Sequence, residues 1–212
     1  MQIDLPKQFV KLAGKPILSY SLEMFQRCDF VVEILIVTKT EWFAFVQNEI
    51  LSTGAFSKVS RLIEGGAERQ DSVYAGFCRL SSHDLVAVHD AARPFISRQK
   101  FGDVVSACNR HGAAILAVPV KDTIKTGADG CVGQTLDRRN LWSVQTPQVF
   151  KYPLLEEAFR LAAASGVYQT DDSALVEAAG YKVRIVEGDA ENFKITVPSD
   201  LLVAESIVRN WN

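Results

Sequence analysis

The sequence predicts an α/β protein: a mostly parallel sheet flanked by helices, in one domain that carries a protruding β-arm. Three observations carry this expectation. Short apolar runs recur at 33–38, 85–88 and 112–118, and their length and Ile/Val/Leu content suit buried strands. Segments with apolar residues at helical spacing alternate with those runs, and strands alternating with helices imply a parallel sheet covered on both faces. The rhythm breaks once, over 120–140, where the chain is polar, contains glycine and shows neither helical stripe nor clear alternation. So long an irregular stretch in a compact domain is usually functional or an interaction element.

In chain order, Pro6 and the Gly14-Lys15-Pro16 turn mark loop structure. Pro16 suits the first position of a helix, in which Leu18, Leu22 and Phe25 make one apolar stripe. A fully buried strand is expected at 33–38, a helix at 41–51 and a short strand at 59–63. That strand runs into Glu64-Gly65-Gly66-Ala67-Glu68-Arg69, where the chain turns and starts a helix with Val73, Phe77 and Leu80 on one face. The 85–88 strand follows, then a helix over 98–110 and a buried strand over 112–118. After the 120–140 segment, 145–150 resumes as a strand or extended segment, and 153–164 is an amphipathic helix. Thr170-Asp171-Asp172 caps a helix ending at Gly180. A strand at 182–186, an extended 193–196 and a last helix opened by Pro198, with Leu201, Leu202 and Ile207 inward, complete the chain. There is no internal repeat and no linker.

Composition narrows the function. Nearly half of the 212 residues are hydrophobic, enough for a sizeable core. The formal net charge of -2 argues against nucleic acid, whose partners usually carry a basic face. Cys28, Cys78, Cys108 and Cys131 form no CxxC pair; they argue against a zinc site or a disulfide framework and fit a reducing cytosol, so a cytoplasmic location is expected. No apolar run approaches membrane-spanning length, and Met1-Gln2-Ile3-Asp4 does not read as a signal peptide.

The chemistry collects at five places. The apolar run 85–88 leads to His89-Asp90-Ala91-Ala92-Arg93-Pro94, and open α/β sheets bind ligands just beyond the carboxyl ends of their strands. Asp90 can hold a hard cation such as Mg²⁺, and Arg93 can grip a phosphate bidentately. On spacing alone, an ordinary Asp turn beside an incidental surface Arg serves equally well. Gly65, Gly66 and the segment to Ser72 join a strand to a helix, where backbone N–H groups can meet an anion or a base edge. Lys7 lies beside Pro6, Arg138 and Arg139 at the far end of the arm, and Lys194 before the final helix. Taken singly, each cation is an ordinary solvated charge. Jointly they describe a cationic, metal-capable site on an acidic protein, which suits phosphorylated substrates. The histidines add little: His83 and His111 fall in loops, and His89 would face away from Asp90.

Together these segments resemble the 2-C-methyl-D-erythritol 4-phosphate cytidylyltransferases. The matching stretches are Leu5-Pro6-Lys7-Gln8-Phe9, Gly65-Gly66-Ala67-Glu68-Arg69-Gln70-Asp71-Ser72-Val73, Val88-His89-Asp90-Ala91-Ala92-Arg93-Pro94 and Val120-Lys121-Asp122-Thr123-Ile124-Lys125. Leu136-Asp137-Arg138, Leu141-Trp142, Gln145-Thr146-Pro147-Gln148, Thr170-Asp171-Asp172 and Asn192-Phe193-Lys194-Ile195-Thr196 continue the series in the same order. The resemblance implies a Rossmann-like nucleotidyltransferase fold and a homodimer interlocked through the arm. It implies transfer of a cytidylyl group from CTP to the sugar-alcohol phosphate, with release of pyrophosphate, in the non-mevalonate route to isoprenoids. It also implies roles. Lys7 stabilises the transition state at the α-phosphate; Gly65, Gly66 and Ser72 recognise cytosine and ribose; Asp90 lies near Mg²⁺ and the substrate hydroxyls, with Arg93 beside it. Thr123, Arg138 and Lys194 hold the methylerythritol phosphate, Thr123 and Arg138 coming from the partner subunit, and Thr170 makes a further contact to the substrate.

The chain departs from the family pattern at its start. Family members begin with an apolar strand and a Gly-rich loop ending in an Arg-Met pair, and this chain starts at what looks like that Met. The strand, the loop and the catalytic arginine are absent from it; the expectation is a sequence that begins too late, and a real truncation would weaken CTP binding and catalysis severely. Loss of a mid-sheet strand should leave neighbouring edges unpaired. Ala67 stands where an acidic residue is common. Two alternatives share or border on this reading: a pentitol-phosphate cytidylyltransferase, for instance for ribitol 5-phosphate, and a non-catalytic nucleotide-binding protein. A dehydrogenase is disfavoured because no GxGxxG with a downstream acidic residue occurs. No general base is required, because the attacking phosphate oxygen is already ionised near neutral pH.

Overall fold

A computed structural model describes residues 5–80 and 83–211 of the chain; the Met1-Gln2-Ile3-Asp4 reading above lies outside them. The main elements are α1 (Ile17–Gln26), β1 (Ile34–Thr38), β2 (Val59–Glu64), α2 (Arg69–Phe77), β3 (Leu85–Val88), α3 (Arg98–His111) and β4 (Ala113–Pro119). They continue with β5 (Lys125–Ala128), β6 (Cys131–Thr135), β7 (Trp142–Lys151), α4 (Tyr152–Ser165), α5 (Asp172–Ala178), β8 (Arg184–Glu187) and α6 (Pro198–Arg209).

The apolar runs do form strands, and helices cover both faces of the main sheet. Along β4, successive side chains point to opposite faces. Ala114 and Leu116 pack with Phe101, Val104 and Cys108 of α3, while Ala113 packs with Leu155, Phe159, Leu175 and Val176 of α4 and α5. Both faces of β4 are therefore buried, which is why its sequence is a continuous apolar run rather than an alternating one.

The sheet order is β8-β4-β7-β3, and it is mixed, which corrects the expectation of a mostly parallel sheet. β8 runs parallel to β4, but β7 is antiparallel to both β4 and β3. The reason lies in the 120–140 segment. No crossover helix intervenes between β4 and β7; the chain reverses through the β5–β6 hairpin and returns antiparallel beside β4. β1 and β2 form a separate parallel pair. β1 and β3 each leave one edge without a strand partner among the described residues. Correspondingly, neither is the fully buried strand its composition suggests: only Ile36 in β1 and Val86 in β3 are buried, and Ala87 is exposed.

Other differences are local. The stretch read as one helix over 41–51 is a chain of short 3₁₀, α and π turns from Thr40 to Thr53. The 193–196 segment has no strand partner among the described residues, but the Ile195 N–H donates to the Ala92 carbonyl at 2.9 Å. Ile195 also packs with Leu12, Ile17, Tyr20 and Phe95, and this fixes Lys194 beside the 90–93 turn. In α6, Leu201 and Ile207 face inward, whereas Leu202 is 71% exposed and points out. Asp171 caps α5 as expected, accepting a hydrogen bond from the Ala174 N–H, and Gly180 takes the positive φ of +86° just past its end.

Candidate active site

Asp90 follows the last residue of β3 by two positions, at the carboxyl end of the strand. Its carboxylate is met by three cations from three parts of the chain. Lys194 Nζ lies 2.8 Å from Oδ2, Arg93 Nε 3.7 Å from Oδ2, and Arg69 Nε 3.4 Å from Oδ1. Burial pushes the Asp90 carboxyl up, but the hydrogen bond and charge of Lys194, then the charges of Arg69 and Arg93, hold it below the usual carboxylate range. The group is ionised at neutral pH and organises the cations around it.

Arg93 is engaged mainly by the protein itself. Its guanidinium donates to the Asn192 carbonyl at 2.9 Å and to the Val144 carbonyl at 3.3 Å, so it ties the 90–93 turn to β7 and to the segment before Lys194. Lys194 sits half-buried, one residue before the Ile195 anchor. Lys7 is the exposed first residue of a 3₁₀ turn whose last residue, Phe9, is buried against Trp42 and Phe45 at ring distances of 5.5 and 5.0 Å. Burial lowers the Lys7 ammonium below its ordinary value, and the positive charge of Lys194 lowers it further, against the pull of Asp90 and Asp200. Two lysines from opposite ends of the chain thus share one field, as an anion site requires.

The glycine turn reaches the same place. Gly65 donates its N–H to the Thr38 carbonyl at 3.0 Å, and the Gly66 N–H is held by Ser72 Oγ at 3.1 Å. A Cβ on Gly65 would lie 2.9 Å from Ser72 Oγ, which would have to rotate off the Gly66 N–H, and one on Gly66 would overlap Asp71 Cβ, so Gly66 accepts no side chain without moving the turn. The link from this turn to Asp90 is Arg69, at the start of α2.

Arg69 also bonds Asp172 at 2.8 Å, and Asp172 is buried with Oδ1 unpartnered. Burial raises the Asp172 carboxyl above its usual value, with Arg69 pulling the other way. Neither Arg69 nor Asp172 was singled out by spacing. The signal was present, since both lie inside motifs already noted, but nothing local shows that residues 69, 90 and 172 meet. Thr170 is exposed, two residues before Asp172.

No hydrogen bond or ion pair joins Thr123 or Arg138 to Lys7, Asp90 or Lys194 among the described residues; Arg138 instead donates to the Lys121 carbonyl. Every residue of β5 and β6 is exposed. One chain therefore brings together Lys7, the 65–72 turn, Asp90, Arg93 and Lys194, and no hydrogen bond or ion pair among the described residues adds Thr123, Arg138 or Thr170 to them.

The comparison with known proteins decides what such a site belongs to. The family model for 2-C-methyl-D-erythritol 4-phosphate cytidylyltransferase matches residues 1–210. The chain belongs to this family. It is 42% identical over 211 residues to the 2-C-methyl-D-erythritol 4-phosphate cytidylyltransferase of Caldanaerobacter subterraneus subsp. tengcongensis, covering 99% of this chain and 93% of that one. It is 44% identical over 209 residues to the Geobacillus kaustophilus protein of the same name, covering 98% and 91%. Among solved structures, the Thermus thermophilus 2-C-methyl-D-erythritol 4-phosphate cytidylyltransferase superposes with a TM-score of 0.83 at 37% identity, over 96% of this chain and 94% of that one. The 4-diphosphocytidyl-2C-methyl-D-erythritol synthase of Anaerococcus prevotii gives a TM-score of 0.87 at 29% identity, over 97% and 91%. Family membership makes the chain a nucleotidyltransferase with a Rossmann-like α/β fold, and it does not favour the pentitol-phosphate alternative. The helices hold no segment long and apolar enough to cross a membrane among the described residues.

Proposed function

We propose that the chain transfers the cytidylyl group of CTP to 2-C-methyl-D-erythritol 4-phosphate, releasing pyrophosphate, in isoprenoid precursor synthesis. The observation that carries the reading is the meeting of Lys7, Lys194, Arg69 and Arg93 around Asp90 at the carboxyl end of β3. Two anions must be forced together when a phosphate monoester attacks a triphosphate, and the barrier falls when cations stand where charge develops. Lys7 meets the α-phosphate in the transition state. Lys194 leaves Asp90 to hold the attacking phosphate. The 65–72 turn takes cytosine and ribose on its backbone, with Ser72 releasing the Gly66 N–H as the nucleotide enters. Asp90 accepts hydrogen bonds from substrate hydroxyls, and Thr170 adds a contact on the α5 side.

The residues also fit Mg²⁺ of a particular kind. No group of three or more acidic, His or Cys side chains stands ready for a metal among the described residues. Mg²⁺ is commonly held by one or two carboxylates plus substrate phosphates, so Asp90 suffices for an ion that arrives on the triphosphate. Held there by Asp90, such an ion would supply charge neutralisation to the triphosphate.

The 120–140 segment acts as an arm that crosses to a second copy. Its strands are wholly exposed, Val132 is 66% exposed, and Thr123 and Arg138 lie outside their own chain's site. A two-fold pair lets each arm complete the other's sugar-phosphate site. The working enzyme is then a cytoplasmic homodimer. A pyrophosphate-release assay with CTP against methylerythritol phosphate and ribitol 5-phosphate tests the reading; turnover only with the pentitol phosphate, or with neither, overturns it.

A further inference from the structure

His89 is a ring that the chemistry above does not use, yet it sits at the centre of a closed hydrogen-bond circuit. The turn 90–93 is itself closed by the Arg93 N–H donating to the Asp90 carbonyl at 3.0 Å. At its near end, the Asp90 N–H donates to Thr146 Oγ1 at 2.9 Å. Thr146 Oγ1 lies 3.1 Å from His89 Nδ1, and His89 Nε2 lies 3.0 Å from the Arg93 carbonyl at the far end. The Ser21 hydroxyl joins the same carbonyl at 3.2 Å and lies 3.3 Å from Nε2. The ring is held edge-on against Phe25, with centroids 5.1 Å apart.

The contact with a carbonyl selects the roles of the two ring nitrogens. A carbonyl only accepts, so Nε2 carries the hydrogen bonded to the Arg93 oxygen. In the neutral ring Nδ1 is then bare and accepts from the Thr146 hydroxyl. That hydroxyl has one proton, free for Nδ1 because it already accepts from Asp90. Every donor finds an acceptor, and the circuit spans both ends of the turn that presents Asp90 and Arg93.

We infer that His89, acting through Thr146 and the Arg93 carbonyl, is a positioning residue that fixes the Asp90 carboxylate against Lys194 and Arg69. This rests on the reading of Asp90 as a site residue. It requires no proton transfer by the imidazole; the ring works as a neutral strut with one defined tautomer. Small displacements of a positioned group cost rate out of proportion to their size.

Two measurements on the intact enzyme test this. In long-range ¹⁵N spectra of the wild-type protein, His89 should appear as the neutral Nε2–H tautomer; an Nδ1–H tautomer overturns the proposal without any variant. In pyrophosphate release, Thr146→Val should lower kcat by about tenfold with both KM values within about threefold, and Thr146→Ser should stay within about twofold of wild type. Adding His89→Phe to Thr146→Val should cost little more, because members of one network are non-additive. Wild-type kcat in Thr146→Val, or losses that multiply in the double variant, overturn it, provided Asp90→Asn is impaired in the same assay. A fully active Asp90→Asn overturns the reading of Asp90 instead, and with it the functional part of this inference.

Discussion

Lys194 Nζ lies 2.8 Å from Asp90 Oδ2, so the cation assigned to the sugar phosphate is held by the carboxylate at the end of β3. The pair keeps a mobile ammonium in place before substrate arrives, and a phosphate must compete with Asp90 for it. Asp90→Asn removes the competitor and the charge that gathers Arg69 and Arg93. Activity should fall, and the Mg²⁺ concentration for half-maximal rate should rise, with the fold retained by circular dichroism. An unchanged Mg²⁺ titration would remove Asp90 from the metal's neighbourhood.

Lys7 contributes a second ammonium to the same field from a turn anchored by Phe9. If it meets the α-phosphate chiefly in the transition state, Lys7→Ala should lower kcat by about a hundredfold or more while KM for the sugar phosphate changes little. Steady-state kinetics checks this; a near-normal kcat rejects the assignment.

Gly66 has no room for a methyl group beside Asp71. Gly66→Ala should push the turn off the start of α2, at a cost of about 1–3 kcal/mol in stability. If the displaced N–H groups take the nucleotide, KM for CTP should rise more than KM for the sugar phosphate. Chemical denaturation and paired KM measurements read the two effects separately.

If the arm crosses to a second copy, the planar fork of Arg138 can hold a phosphate bidentately in the partner's site. Arg138→Lys should impair sugar-phosphate use and leave CTP binding nearly intact. Mixing inactive Arg138→Ala with inactive Lys194→Ala should partly restore activity, since one site of a mixed dimer then carries neither defect. No recovery after subunit exchange, or an active monomer, would place the arm in cis.

Stability should depend on His89 between two pH values. Burial pushes its imidazolium down to about 4 in the folded chain, against 6.5 for the ordinary ring. With the folded value depressed, the unfolded chain binds the extra proton first as pH falls. The neutral strut's contribution is therefore whole above about 6.5 and declines between about 6.5 and 4, by an amount on the order of 3 kcal/mol. Urea denaturation of wild type and His89→Phe across that window should show a steeper loss in wild type. Parallel profiles would show that His89 is not the group responsible.

Much of the local structure could be read residue by residue. Pro16, Asp171 and Gly180 mark helix ends because capping depends on a few neighbouring atoms. Gly66 marks a turn with no room for a side chain, and the apolar run of β4 marks a strand buried on both faces. Lys7, Asp90 and Lys194 were legible as candidates because ordered motifs along the whole chain resemble one family.

By itself, then, the sequence determined most of the element types, their order, the family and the residue types available for chemistry, all of which depend on local backbone physics or on ordered motifs. Only the tertiary structure decided how they meet. β7 runs antiparallel because a hairpin, not a crossover helix, precedes it; Leu202 points outward although its neighbour Leu201 does not; and β1 and β3 remain half exposed. It also joined Arg69 to Asp172, 103 positions apart in the chain, and closed His89 onto Thr146, 57 positions away. Such contacts are set by packing of the whole core, since a hydrogen bond between distant residues forms only after the elements carrying them have docked.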